Sequence, residues 1–157
     1  MDMFDMIEKE LSAYRVMIDI TDDTLTAVNP DNNNKLSVYR EKYYTQDMKD
    51  CFVEYIVEFS TQHRHFSADE ADEIIEYILM IISDTVLPLE FYYDGKRRFG
   101  GEIGKDESDK LSVSFLSDRY GCSSDHLMQL DYEIHSWSGQ YDTGLRHVSE
   151  LMAAGYR

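Results

Sequence analysis

Apolar positions along this chain change period several times, and each change marks an element. Phe4, Ile7, Leu11 and Tyr14 recur at helical spacing, which predicts an amphipathic helix over 3–14. The stretch YRVMIDITDDTLTAVNP alternates around a polar turn at Asp22–Asp23 and predicts a hairpin. PDNNNK is loop chemistry, and LSVYREKYY supplies a third strand. From Asp47 to about Gln62, the residues Met48, Cys51, Phe52, Tyr55, Ile56 and Phe59 fall on one helical face. A second helix is expected there, with His63 to Phe66 as a short connection. Ser67 with Glu70 three positions on matches a capping box and opens a third helix running to about Ser83. Pro88 prevents much continuation.

Downstream, Asp94–Gly95 between apolar flanks is a strong hairpin signal. KLSVSFLS alternates Leu111, Val113 and Phe115 with serines, as a strand wet on one side does. Two helices, 124–137 and 143–154, complete the reading, with Asp142 as a cap and Gly155 as a stop. The expected fold class is α+β. A single domain over 1–157 is expected, with an antiparallel sheet packed against about four to five helices.

Composition adds one pointed fact. Thirty-one acids against fifteen bases leave a formal charge of −16, spread along the chain rather than gathered in a tail. That excess repels nucleic acid and anionic membranes and favours basic partners. An apolar share of 43% argues for a real core. Two cysteines make no disulfide framework, which fits a reducing cytoplasm. No secretory signal and no apolar run of membrane-spanning length is visible.

Where the acids fall decides whether they mean anything. On the expected helix over 47–62, Asp47, Asp50, Glu54 and Glu58 form one stripe about 16 Å long. On the next helix, Asp69, Asp72, Glu73 and Glu76 lie opposite Ala71, Ile74, Ile75, Ile78, Leu79 and Ile82; beyond Glu76 the outer face becomes Tyr77, Met80 and Ile81. Acids near a helix start favour its dipole, and charged outer faces are ordinary on surface helices. If the two helices form a hairpin, however, their acidic sides merge into a two-row patch that attracts a basic channel.

Other constellations are weaker. His63 and His65 form an H-x-H pair without a recognisable third metal ligand, so no metal or other cofactor is assigned. Cys122, at an expected helix start with His126 four residues on, lacks an orienting third group for thiol catalysis. Cys51 reads as packing, and GKRRF, residues 95–99, as a basic run that suits a phosphate or an acidic partner, pairing with the surrounding acids, or edge protection. Trp137 and the pair Tyr92–Tyr93 suit either an interface or the core. The expectation is a non-enzymatic, cytoplasmic acidic protein that covers a basic surface on a nucleic-acid enzyme. DNA-mimicking inhibitors of restriction or CRISPR nucleases and nuclease-toxin immunity proteins act in this way. It does not itself bind nucleic acid or a membrane. Its contacts would be Asp47, Asp50, Glu54, Glu58, Asp69, Asp72, Glu73 and Glu76. A protein–protein module without charge mimicry and a small metal or thiol enzyme are the competing readings.

Overall fold

The structure is a computed structural model that describes residues 1–154. The chain divides into two compact units, Met1–Ser83 and Asp84–Arg157. Among the described residues there are nine strands in two antiparallel sheets and five short helices. The expected single sheet under four to five helices is therefore overturned: two sheets replace the one, and strands rather than helices are the main regular structure among the described residues.

In the first unit, helix α1 (Met3–Leu11) precedes a meander of strands β1 (Met17–Ile20), β2 (Thr24–Val28), β3 (Lys35–Tyr44), β4 (Cys51–Phe59) and β5 (Gln62–Ser67). Helix α2 (Ala71–Ile82) closes the unit. Each strand pairs with its neighbours in sequence, in the order β1-β2-β3-β4-β5. Alternation places Leu25, Ala27, Leu36, Val38, Tyr55, Val57, Phe59 and Phe66 on the buried side. Helices α1 and α2 pack on that side. Phe4 meets Tyr55 edge-on at 6.1 Å, and Tyr77 lies 5.9 Å from Phe66.

Residues 51–59 are strand, not helix, and the reason lies in their second face. Cys51, Val53, Tyr55, Val57 and Phe59 alternate along β4, with Tyr55, Val57 and Phe59 buried. Phe52 and Ile56 are apolar residues on the outer side, and they complete a false helical pattern. β-Branched and aromatic content and a nine-pair ladder with β3 decide for strand. The segment 62–67 is likewise a strand rather than a connection. Cys51 is exposed, not packed.

The capping box forms only by half. Glu70 accepts the Ser67 N–H (2.7 Å), but the Ser67 hydroxyl donates to Asp69 (2.5 Å). Helix α2 accordingly begins at Ala71. It buries Tyr77 and Ile81, which the helical angles had placed outward.

The second unit is a sheet in the order β7-β6-β8-β9, made of β6 (Val86–Tyr93), β7 (Lys96–Gly104), β8 (Asp131–Ile134) and β9 (Arg146–His147). Asp94 and Gly95 both take positive φ (50° and 74°), as the expected hairpin turn requires. Pro88 lies within β6 rather than ending a helix. Its carbonyl accepts the His135 N–H (3.1 Å) just beyond the β6–β8 ladder, so its missing N–H breaks no pairing.

The expected strand at 111–117 is helix α3 (Val113–Tyr120). Ser112 caps it by accepting the Phe115 N–H (3.0 Å), and Gly121 ends it in the left-handed region. The expected helix over 124–137 shrinks to α4 (Ser124–Leu127), because Tyr132 and Ile134 alternate into the sheet. The expected helix over 143–154 is β9 followed by α5 (Ser149–Ala154). Asp142 caps no helix and instead accepts the Ser136 N–H (2.7 Å) and hydroxyl (2.9 Å). The expected stop at Gly155 lies outside the described residues. Leu87, Leu89, Phe91, Ile103, Leu116, Leu127 and Ile134 form the core. Trp137 is buried.

Candidate partner-binding surface

Strands β3 and β4 pair from Leu36↔Phe59 to Tyr44↔Cys51, while the β4–β5 ladder stops at Glu54↔Ser67. The two strands therefore run past β5 as a short arm, closed by the turn Thr45–Asp50. Four large apolar or aromatic side chains stand exposed on this arm: Tyr43, Tyr44, Met48 (69%) and Phe52 (61%). Asp47 and Asp50 sit in its turn. Asp47 accepts the Thr45 hydroxyl (2.5 Å) and the Lys49 N–H (3.2 Å), and the hydroxyl bond foremost holds its carboxyl below the usual range.

On the open face of the sheet, Glu41 and Glu54 are directly opposed across the β3–β4 ladder. Like charges so placed are destabilising. Two neighbours temper the repulsion. The Tyr43 phenol donates to Glu41 Oε2 (2.7 Å) and also reaches Glu54, and these hydrogen bonds push its pKa up to about 12. His65 Nδ1 lies 2.7 Å from Glu54 Oε1. His63 stands opposite Glu58 and edge-on to His65, with ring centroids 5.3 Å apart. Among the described residues, no group of three or more His, Cys, Asp or Glu side chains is placed to hold a metal ion.

The anticipated contact residues are thus redistributed. Glu54 and Asp69 line one groove of about 730 Å³, together with Tyr43, Cys51, Phe52, Val53, Ser67 and Ala68. Asp69 is held below the usual carboxyl range by the Ser67 hydroxyl. Glu58 lies on the same strand face as Glu54, about 13 Å farther along. Asp72, Glu73 and Glu76 are exposed on α2; Asp72 and Glu76 border a second groove of about 420 Å³ with Glu10, Tyr14 and Leu79. The single helical stripe does not exist, so the two-helix patch built from it does not either.

No known protein family, curated protein or solved structure matches the chain.

The remaining candidates are occupied locally. The Cys122 thiol donates to the Tyr120 carbonyl (3.7 Å), while His126 is exposed on α4. In the basic run, Arg97 binds the buried Glu90, and Arg98 lies over the Tyr93 ring at 5.3 Å. The buried Glu90 carboxylate escaped the sequence reading. Its one signal was Gly100, whose missing Cβ leaves room for that carboxylate. The exposed aromatic arm was missed as well, because Phe52 had been assigned to a helix core.

Proposed function

We propose that this chain is a non-catalytic acidic binding protein that covers the basic surface of a nucleic-acid-binding protein, a nuclease being the obvious target class. The distribution of charge carries the reading. The first unit holds eighteen acids against seven bases, a formal −11, whereas the second holds thirteen against eight, −5. Carboxylates occupy the arm turn, the open sheet face and the solvent side of α2, so a cationic groove meets negative potential over much of the first unit. The opposed Glu41–Glu54 pair adds a local reason: an arriving cation relieves a repulsion that the free protein carries.

Inhibition would follow from occlusion, with charge accelerating encounter more than deepening affinity. Both cysteines are free thiols, in keeping with a cytoplasmic setting. No described helix is long and apolar enough to cross a membrane.

Competition tests the proposal. Purified basic nucleases and DNA-binding domains are loaded with fluorescent duplex DNA, and the full chain is titrated in while anisotropy is read. Displacement is expected, weakening steeply with salt as screening shortens to ~8 Å near 0.15 M. The variant Asp50→Lys/Glu54→Lys/Asp72→Lys/Glu73→Lys should lose it while folding normally, since Asp50, Asp72 and Glu73 are exposed and Glu54 faces outward. Displacement by that variant equal to wild type, or unchanged at high salt, would refute the proposal.

A further inference from the structure

The groove beside the arm has a backbone floor as well as side-chain walls. The Arg40 N–H donates to Asp23 (2.8 Å), which turns the backbone of Arg40 toward β2 and those of Glu41 and Tyr43 toward β4. In an antiparallel ladder this phase makes Tyr43·Phe52 and Glu41·Glu54 the hydrogen-bonded pairs. The Thr45 N–H to Asp50 carbonyl bond (3.0 Å) at the arm's end has the same phase. Cys51 and Val53 must then direct their N–H and C=O groups away from β3, to the side where β5 would lie. There β5 has already ended at Ser67, and the chain turns off through Ala68 and Asp69. The Glu54↔Ser67 pair sets the Val53 carbonyl opposite the Ala68 N–H, so the open part of the edge is the Cys51 N–H and C=O together with the Val53 N–H.

Most strand edges are blunted by charge, proline or a covering element. This one displays Cys51, Phe52 and Val53, all uncharged. Its surroundings are acidic: residues 41–54 and 67–70 hold six carboxylates against Lys42 and Lys49, and Lys49 already leans on Asp47 (3.9 Å). The exposed rings of Phe52 and Tyr43 offer faces on which a cationic side chain can rest.

We propose that the open edge of β4 at Cys51–Val53 receives an extended basic segment of the partner by strand addition, with an arginine or lysine side chain held among Phe52, Glu54 and Asp69. The inference rests on the acidic-binding reading and names its anchoring point. Main-chain bonds supply the affinity of such an addition, and the flanking side chains select what enters. Here they select positive charge.

The test uses the ¹⁵N-labelled full chain and the probe Ac-Val-Arg-Val-Arg-Val-NH₂, beside its citrulline analogue and an analogue N-methylated on alternate amides. Amide shifts should concentrate at residues 51–54 and 67–69, with slowed hydrogen exchange at Cys51 and Val53. Affinity should fall about tenfold, or ~1.4 kcal/mol, both for the N-methylated peptide and in the Glu54→Gln/Asp69→Asn variant. Equal binding of the N-methylated peptide, or shifts centred on Asp72–Glu76 instead, would overturn strand addition and leave the acidic-binding reading standing. If the citrulline peptide bound as well as the arginine one, both would fall. Shifts at the same amides that grow with protein concentration alone would assign the edge to a second copy of this chain and overturn the proposed occupant.

Discussion

Gly100→Ala should damage the second unit far more than an added methyl on an edge strand normally does. An ideal Cβ at Gly100 would stand 2.5 Å from Glu90 Oε2 and 2.6 Å from its Cδ and Oε1. The carboxylate must retreat by about 1 Å to reach an ordinary separation of ~3.5 Å. It is fully buried, and Arg97 Nε holds it at 2.5 Å. A retreat of that size carries the pair past the ~3.2 Å limit of a good hydrogen bond. Removing one partner of a buried ion pair costs ~3–5 kcal/mol, but Arg97 is half exposed and can follow its partner in part, so about 2–3 kcal/mol is expected. Replacing glycine in a strand returns roughly 0.5–1 kcal/mol of backbone entropy, leaving a net loss of about 2 kcal/mol. Urea denaturation read by circular dichroism, with amide exchange along β6 and β7 to localise the loss, measures it. The control is Glu90→Ala, which removes the three atoms nearest that methyl. There Gly100→Ala should be neutral or slightly stabilising, giving a coupling energy of about 2–3 kcal/mol. A cost below ~0.5 kcal/mol in wild type, within the range of ordinary surface changes, or the same cost in both backgrounds, would refute the account.

Two further expectations concern ionisation. Tyr43 should titrate late, near about 12, because carboxylate acceptors favour its protonated form; its share of stability is complete below the unfolded value of ~10 and vanishes as pH rises through the folded one. Ultraviolet titration of wild type against Glu41→Gln/Glu54→Gln checks this, and an unmoved phenol transition would contradict it. Asp2 behaves in the opposite sense: Arg40 Nη2 donates to both of its carboxylate oxygens (2.7 and 2.6 Å) and lowers its pKa, so the contribution is present above the unfolded value near 3.8 and disappears as pH falls through the folded value. Asp2 is half exposed, so Asp2→Asn should cost no more than ~1 kcal/mol at neutral pH and nothing at the acid end, as urea midpoints across pH would show.

Local chemistry was legible wherever one pattern competed with no other. The hairpin at Asp22–Asp23, the Asp94–Gly95 turn, the third strand and the outward placement of Asp72, Glu73 and Glu76 all followed from turn residues or helical angles. The errors came where a strand is apolar on both sides. β4 carries Phe52 and Ile56 on its open face, and with Tyr55 and Phe59 they satisfy helical spacing as well as alternation. Only the β3 partner resolves the ambiguity, and pairing is not written in a local window. Leu111–Ser117 erred the other way: three alternate apolar residues suggested a strand, while the Ser112 cap selected a helix. Glu54 and Asp69 were expected on separate helices, but they line one groove that exists only once β4 and β5 pair.

The contiguity of the two units also governs how each can fold. Every ladder of the first sheet joins strands adjacent in sequence, so each closes a loop of a few residues. The second sheet must pair Leu89 with Ile134, forty-five positions apart. Against a six-residue turn that is nearly three doublings of loop length, or about 1.7 kcal/mol of additional closure entropy before the intervening hairpin and helices order. The acidic unit that carries the proposed interface can therefore complete its meander from short-range pairings while the later unit still waits for its third strand.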